Sequence, residues 1–290
     1  MMRGLTLCSL AAVLLIGGCL VVADWRSPSE WVDATEEFTV PLDGIHELRT
    51  QTRNGAVKIE TSRDLRGEAL VTAKIRAGGA SVSDAERCLG SIVIDSSRSG
   101  SRQSLTWRWD PSRRNGWSAS VSFTVRVPPG IAIESHSNNG QVSVMGASAG
   151  VKASTHNGKI VLRDVQGDVS GETHNGAIEA DVSSENVRLS THNGPITAWL
   201  RSNGPLGGSI ESHNGQVTVA FAGSPSTRLV CETHNGGIST NDLELSRISA
   251  SSRSLQGNLS SGDGKLRIET HNGAIQLKKG DGATREGRSL

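Results

Sequence analysis

The residues of this chain that could perform chemistry at regular spacing are its histidines. Six of the eight stand in a Thr-His-Asn-Gly or Ser-His-Asn-Gly motif: His156, His174, His192, His213, His234 and His271. Four copies also carry a glutamate two residues before the histidine: Glu172, Glu211, Glu232 and Glu269. Imidazole and carboxylate are ligands for Zn²⁺, Cu²⁺ and Ni²⁺. Two imidazoles from neighbouring repeats could therefore share a metal, and the candidate ligands are His156, His174, His192, His213 and His234.

Repeat duplication offers a simpler explanation for the same histidines. A duplicated repeat retains its polar surface residues whether or not they bind anything. We favour this interpretation and keep a metal-binding envelope protein as the alternative. The sequence has no Cys-x-x-Cys motif and no Cys/His metal motif, so we predict no bound cofactor.

Catalytic groups are not paired in the sequence. Asp164, Asp168 and Asp181 fall at different positions of the repeat and form no recognisable acid–base pair. The repeats are also too short to carry the long loops that form the groove of pectin-cleaving β-helix enzymes. We therefore predict a protein that is not an enzyme.

Three tryptophans in the first half of the chain have two possible roles. Trp107 and Trp109 share one face of a predicted strand, and Trp117 stands across a turn from them. Such a group could stack on sugar rings, but it more often forms a small core at the edge of a domain.

The repeat itself has a period of about 19 residues, which indicates a repeat architecture. A looser copy, Ser137 to Gly140, precedes the six motifs, and a degenerate copy, Ser254 to Gly257, fills the gap before the last one. The residue two positions after each glycine is aliphatic in every copy: Val142, Ile160, Ile178, Ile196, Val217, Ile238, Leu259 and Ile275. Apolar and polar residues alternate on both sides of Asn-Gly, which predicts a strand on each side.

Asn-Gly between two strands could be a hairpin turn or the corner of a solenoid. The similarity of the copies favours coils stacked in register, so we predict an all-β, single-stranded parallel β-solenoid. Alternation would then turn Thr and Ile inward and His outward. The corner residues are assigned a structural role, because Asn and Gly tolerate positive φ and stacked Asn amides could hydrogen-bond along the axis. They are Asn157, Gly158, Asn175, Gly176, Asn193, Gly194, Asn214, Gly215, Asn235, Gly236, Asn272 and Gly273.

The N-terminus reads as an export signal, with Arg3 followed by an apolar run from Leu5 to Val22. The segment Leu15-Ile16-Gly17-Gly18-Cys19 resembles the lipobox of bacterial lipoproteins. That resemblance implies cleavage before Cys19 and lipidation of its thiol. An uncleaved anchor helix is the alternative. Either way, the remainder would lie outside the cytoplasm and be held at a membrane.

Composition and cysteine usage agree with an exported β protein. Thirty Lys and Arg residues balance 29 Asp and Glu residues, so we predict no nucleic-acid partner. Glycine is abundant, at 34 residues, and aromatic residues make up only 3%.

Cys88 and Cys231 could form a disulfide in an oxidising compartment. Because Cys231 stands at a predicted core position, a buried free thiol is the favoured interpretation.

The predicted organisation has five parts. These are a signal peptide (1–18), a lipidated Cys and linker (19–34), a less regular N-terminal β part that caps the solenoid (35–130), the Asn-Gly β-solenoid (131–279) and a disordered tail (280–290). An earlier copy of the motif, Thr52 to Gly55, lies in the N-terminal β part, upstream of the regular repeats. In the N-terminal part we predict a helix between Ala80 and Ile92 with Ser83 as N-cap, and strands at Ser104 to Trp109 and Ser118 to Val127.

This layout resembles the bacterial family named "putative adhesin", a domain of unknown function with β-solenoid folds on exported proteins. The features that carry the resemblance are Phe38-Thr39-Val40, Asn54-Gly55, Val127-Pro128-Pro129-Gly130 and the later Asn-Gly repeats. It covers residues 35–280 and implies the fold and the location, but no catalytic residues. We therefore expect a non-enzymatic, adhesin-like cell-envelope lipoprotein that interacts with the membrane through its anchor and with an envelope or surface macromolecule.

Overall fold

A computed structural model describes residues 27–280, which form an all-β fold of two large mixed sheets around one hydrophobic core. The elements up to the first regular repeats are β1 (Glu30–Pro41), β2 (Glu47–Asn54), β3 (Val57–Thr61), β4 (Glu68–Gly79), α1 (Val82–Leu89), β5 (Ile92–Ser99), β6 (Arg102–Trp109), β7 (Ser118–Val127), β8 (Ala132–Asn139) and β9 (Val142–Met145). The remaining strands are β10 (Val151–Asn157), β11 (Ile160–Gln166), β12 (Val169–Asn175), β13 (Ile178–Ser183), β14 (Asn186–Asn193), β15 (Ile196–Ser202), β16 (Gly207–Asn214), β17 (Val217–Gly223), β18 (Thr227–Asn235), β19 (Ile238–Asn241), β20 (Ser246–Ala250), β21 (Ser254–Leu259), β22 (Gly264–Asn272) and β23 (Ile275–Lys279).

Each Asn-Gly of the repeats is a corner between the two sheets. Strand β10 belongs to the 12-stranded sheet and ends at Asn157, whereas β11 belongs to the 11-stranded sheet and begins at Ile160. Strand β10 pairs in parallel with β8 and β12, so that Val151 lies beside Val169, its equivalent in the next repeat. The hairpin alternative is therefore wrong. We call the two strands joined at one Asn-Gly corner a coil.

Alternating burial explains why these sequences form these strands. In β10, Val151 and Thr155 are buried, while Lys152 and His156 are exposed. Ile160, on the other side of the corner, is also fully buried. A fully buried aliphatic side chain contributes about 1.5–3 kcal/mol, so each coil gains stability from both of its strands.

Antiparallel strands at both ends make the sheets mixed. The 11-stranded sheet has the order β1-β4-β7-β3-β9-β11-β13-β15-β17-β23-β19, and the 12-stranded sheet has the order β20-β21-β18-β22-β16-β14-β12-β10-β8-β2-β6-β5. The pairs β1/β4, β4/β7, β5/β6, β18/β21 and β20/β21 are antiparallel, and the coils between them pair in parallel. The all-β class predicted from the sequence is confirmed, but the predicted parallel β-solenoid is not, because both sheets are mixed.

The N-terminal part matches its predicted elements with small shifts. Strand β7 has the predicted bounds, and β6 begins two residues earlier than predicted. The helix is capped by Ser81 rather than Ser83, since the Ser81 hydroxyl accepts a hydrogen bond of 3.2 Å from the Asp84 amide. Strand β1 begins at Glu30, within the segment predicted as a linker.

The last coil does not follow the order of the chain. Strand β22 lies between β16 and β18, so that Ile268 pairs with both Ile210 and Cys231. Likewise, β23 lies between β17 and β19. The segment predicted to be a degenerate coil corner, Ser254 to Gly257, lies instead in β21, which runs antiparallel to β18 and buries Leu255 against that edge.

Both cysteines of the described region are free and buried. Burial, reinforced by the charge of Glu232, raises the pKa of the Cys231 thiol to about 12. Burial also raises the pKa of Cys88. The predicted lipidation site, Cys19, and the predicted signal peptide lie outside the described residues. Residues 27–280 contain no helix long and apolar enough to cross a membrane.

Candidate functional site: the outer face of the repeats

The repeated histidines form a single stacked column on the outer face of the 12-stranded sheet. Their order along the column is His156, His174, His192, His213, His271, His234. Neighbouring ring centroids are 4.6–4.9 Å apart, and neighbouring ring planes differ by 1–5°. All five candidate metal ligands are in this column. His271, which we did not count among them, stands fifth because its coil is inserted.

The stacked geometry does not assemble a metal site. Parallel rings direct their nitrogen lone pairs along parallel lines, so these lone pairs do not converge on one point. Two nitrogens bound to one tetrahedral Zn²⁺ lie only about 3.3 Å apart, given Zn–N bonds of about 2.0–2.1 Å. Within residues 27–280, no group of three or more His, Cys, Asp and Glu side chains is arranged to hold a metal ion.

A second column, two residues before the histidines, carries the carboxylates. The cross-strand pairing orders it His136, Ser154, Glu172, Ser190, Glu211, Glu269, Glu232. The inserted coil thus makes three glutamates direct neighbours at one end of the column. Arg267 contacts two of them, with nitrogen–oxygen distances of 2.7 Å to Glu269 and 3.2 Å to Glu232. The hydrogen bond with Glu269, together with that residue's charge, raises the pKa of Arg267.

His136 differs from the other repeat histidines. It lies beside Ser154 in the carboxylate column, and not in the column of stacked rings. Its Nδ1 atom is 2.9 Å from the Ser154 hydroxyl, and its Nε2 atom is 3.0 Å from Asn138 Oδ1. Both ring nitrogens therefore already have hydrogen-bonding partners.

The corner asparagines form a third column, joined by side-chain hydrogen bonds. Each amide Nδ2 donates to the Oδ1 of the preceding asparagine over 2.7–2.8 Å, as Asn175 does to Asn157. The order is Asn54, Asn139, Asn157, Asn175, Asn193, Asn214, Asn272, Asn235. These bonds hold the corners in register along the whole stack.

Close approach of neighbouring corners explains the glycines. A Cβ atom on Gly176 would collide with the backbone carbonyl oxygen of Gly158. The same collision with the preceding corner glycine recurs at Gly158, Gly194, Gly215 and Gly273. Positive φ, the reason expected from the sequence, holds among the described Asn-Gly corner glycines only at Gly55, Gly140 and Gly194, and at none of the corner asparagines.

The buried Thr and Ser hydroxyls beneath the histidines bond the coils together. Thr173 Oγ1 donates to the Gly158 carbonyl over 3.0 Å, and Thr191 Oγ1 donates to the Gly176 carbonyl over 2.9 Å. Ser212 does the same to Gly194 over 2.9 Å. These hydroxyls point to the core side and are not available to a ligand.

The His, Thr and Glu columns line an open groove of roughly 670 Å³ that runs along the stack. The groove lies on the surface, and its accessible groups are the imidazoles, the carboxylates and the hydroxyls of Ser154 and Ser190. A second groove on the same sheet lies nearer the N-terminal end and carries basic residues: Arg49, Arg102, Lys152 and Arg188. Three of these contact carboxylates, because Arg102 lies 2.9 Å from Glu47, Arg49 lies 3.8 Å from Glu134 and Lys152 lies 3.9 Å from Glu134.

Of the other residues considered for chemistry, Asp168 lines the second groove, and the rest lie away from this face. Asp164 and Asp181 both contact Arg201, a residue that the sequence analysis did not single out, on the other sheet. Trp107 and Trp109 contact each other edge to face, with centroids 5.5 Å apart, and pack on the core. Trp117 is buried in that core. The tryptophans therefore belong to the packing of the N-terminal part.

Comparison with known proteins gives structural similarity only. No family model matches the chain, and no curated protein matches it. A "putative cell adhesion protein" from Clostridium sporogenes is 13% identical, with a TM-score of 0.38, covering 86% of this chain and 100% of its own. A "putative adhesin" from Bacteroides fragilis is 11% identical, with a TM-score of 0.39, covering 87% and 99%. A "putative lipid binding protein" from Parabacteroides distasonis is 11% identical, with a TM-score of 0.25, covering 85% and 97%.

Proposed function

We propose that this chain is a non-enzymatic, adhesin-like lipoprotein of the bacterial cell envelope. Its body is a β-solenoid built from residues 131–279, capped by residues 35–130. Cys19 carries the lipid anchor, and the outer face of the repeats binds an envelope or surface macromolecule.

The observation that carries this proposal is the uninterrupted order of the outer face. Six imidazoles repeat at 4.6–4.9 Å, with carboxylate and amide columns alongside them. Small-molecule sites are usually concave and mostly apolar. An open polar face that offers the same groups at each step fits an extended partner better, because such a partner meets several coils at once.

The anchor would hold this face close to the membrane. Strand β1 begins at Glu30, eleven residues after Cys19. Eleven extended residues span at most about 40 Å, at about 3.3–3.6 Å per residue. The face would therefore lie within reach of macromolecules at the membrane surface or in the adjacent wall.

Co-sedimentation of the full-length chain with isolated envelope material tests the binding proposal. The probes are purified peptidoglycan sacculi and vesicles that contain lipopolysaccharide. The test variant replaces His192, His213 and His271 with Ala. The control replaces Thr197, Thr218 and Gln276 with Ala, because these residues face outward from the other sheet in the same three coils.

We expect saturable binding to one probe that falls at least tenfold in the His variant and is retained in the control. Equal binding by the two variants would place the binding surface elsewhere. Failure of the unmodified chain to bind either probe would remove support for an envelope-binding function.

A further inference from the structure

The inserted last coil fills a slot between two other coils. Among the strands of residues 27–280, β22 is the only partner of β16 on that side, and it separates β16 from β18. In the other sheet, β23 separates β17 from β19 and is the only strand that pairs with β19 among those described. Removal of this one coil would therefore expose strand edges in both sheets at once.

The chain passes from the coil on one side of this slot directly to the coil on the other side, and the segment that fills the slot comes later in the sequence. Only residues 224–226 join β17 to β18, and they cross the width of the inserted coil. In the sequence β18, β19, β20 and β21 follow, and β22 then lies between β16 and β18, two strands that precede it in the chain. Within the described residues, the backbone connects this coil to the rest of the fold only through the β21–β22 turn, since Gly280 is the last described residue.

That turn is strained and fastened by side chains. Ser260 has φ 52° and Gly262 has φ 80°, so a non-glycine residue adopts the left-handed region. The Asp263 carboxylate accepts hydrogen bonds from the hydroxyls of Ser261 and Ser226, and these bonds lower the pKa of Asp263. Ser226 lies in the connection that spans the slot, so Asp263 fastens the inserted coil to that connection.

The contacts that hold the inserted coil in the slot could be made equally by the same coil of a second molecule of this protein. Thr270 pairs with Ser212 on one side and Thr233 on the other, in the register shared by all coils. Its hydroxyl donates to the Gly215 carbonyl over 2.8 Å, as the other repeat hydroxyls do to their neighbours. A coil from a second copy would repeat every one of these contacts, and only the turn would change its path.

We propose that this slot is a strand-exchange site whose second occupant is β22–β23 of another copy of the same chain. Reciprocal exchange closes a two-fold symmetric dimer, because each copy both donates a coil and receives one. The turn between β21 and β22 is the hinge. The partner of this site is thus a second copy of the chain, and the exchange is independent of what the outer face binds.

A cysteine pair across the slot tests the exchange in the full-length chain. Ser209 and Arg267 pair directly between β16 and β22, so Ser209→Cys with Arg267→Cys places two thiols at adjacent strand positions. Ser170→Cys with Arg188→Cys is the matched control, because it replaces the same residue types across β12 and β14, which no proposed exchange separates. Both proteins are kept reduced and are held at high protein concentration in urea, at a urea concentration below the unfolding transition. They are then returned to buffer and oxidised.

We expect a disulfide-linked dimer on a non-reducing gel from the slot pair, and only intramolecular disulfides from the control pair. Oxidation of the slot pair before the urea step should abolish the dimer. Asp263→Asn, added to the slot pair, should raise the dimer fraction severalfold, because it weakens the fastening of the turn. Equal dimer from both pairs, or a dimer unaffected by prior oxidation, would overturn the proposal, as would the absence of any dimer.

Discussion

Replacement of Gly176 by Ala tests whether close packing of neighbouring corners determines the glycine of each motif. The added Cβ would meet the carbonyl of Gly158, which is backbone and cannot rotate away. The two coils must then separate locally at this corner. Overpacking of this kind costs about 1–3 kcal/mol.

Two inter-coil hydrogen bonds end at the same residue and add to the cost. The Gly176 amide donates to the Asn193 carbonyl over 2.9 Å, and Thr191 Oγ1 donates to the Gly176 carbonyl over 2.9 Å. Each is worth about 0.5–1.5 kcal/mol. We therefore expect Gly176→Ala to lower the free energy of unfolding by about 2–6 kcal/mol.

Gly237→Ala is the matched control. Gly237 directly follows a corner glycine, and a Cβ there would have no atom within 4 Å. We expect a change within about 0.5 kcal/mol for this exposed position. Urea unfolding of both full-length variants, followed by circular dichroism, measures the difference. If the two variants unfolded within about 0.5 kcal/mol of each other, the close-approach explanation would be refuted.

Four further predictions follow, three from the same geometry and the last from the N-terminal sequence. Ile178→Asp should lower the free energy of unfolding by several kcal/mol, since it places a charge in the core, whereas His174→Ala should change it by less than about 0.5 kcal/mol; similar melting shifts would contradict the facing of the two residues. The Cys231 thiol should resist a thiol reagent at pH 8 in the native protein and react in urea, because its pKa is raised to about 12; rapid native labelling of this residue would contradict its burial. Calorimetric titration with Zn²⁺ or Cu²⁺ should give no saturable heat, and a one-to-one isotherm would restore the metal alternative. Cys19→Ser should release the protein from membranes into the soluble fraction, and continued membrane association would favour the anchor-helix alternative.

The sequence was sufficient to predict which residues face the core. Ile178 and its equivalents follow each glycine by two positions and are buried, except for the half-buried Ile238, and the neighbouring Thr and His alternate inward and outward as predicted. This succeeded because strand alternation and copy-to-copy similarity depend only on local sequence. The position of Asn-Gly at corners also followed from the similarity of the copies.

The order of the coils could not be predicted in the same way. The coils that contain His213, His234 and His271 all have apolar or small residues at their inward positions, so several stacking orders satisfy the same pattern. Leu255 and Leu259 alternate like a coil strand, and this hid the antiparallel role of β21. The order is decided by non-local pairing, which a single sequence does not encode in its periodicity.

The requirement for glycine at the corners was also assigned to the wrong cause. Asn-Gly is associated with positive φ in turns, but most of these glycines have no positive φ. Their constraint comes from the carbonyl of the neighbouring coil, which lies 18 residues away in the chain at Gly158 and Gly176. Contacts between coils are not visible in the local motif.

The arrangement on which this account depends is a stack of coils in register with the last coil inserted before its predecessor. Two cysteine pairs in the carboxylate column test it directly. Glu211 and Glu269 are adjacent in the structure, whereas Glu211 and Glu232 are separated by the inserted coil. Disulfides require Cα atoms about 4.4–6.8 Å apart. The dilute full-length proteins are oxidised mildly, and their intact masses are measured. We expect an intramolecular disulfide in Glu211→Cys/Glu269→Cys and none in Glu211→Cys/Glu232→Cys. The reverse result would mean that the coils stack in chain order and would contradict the account.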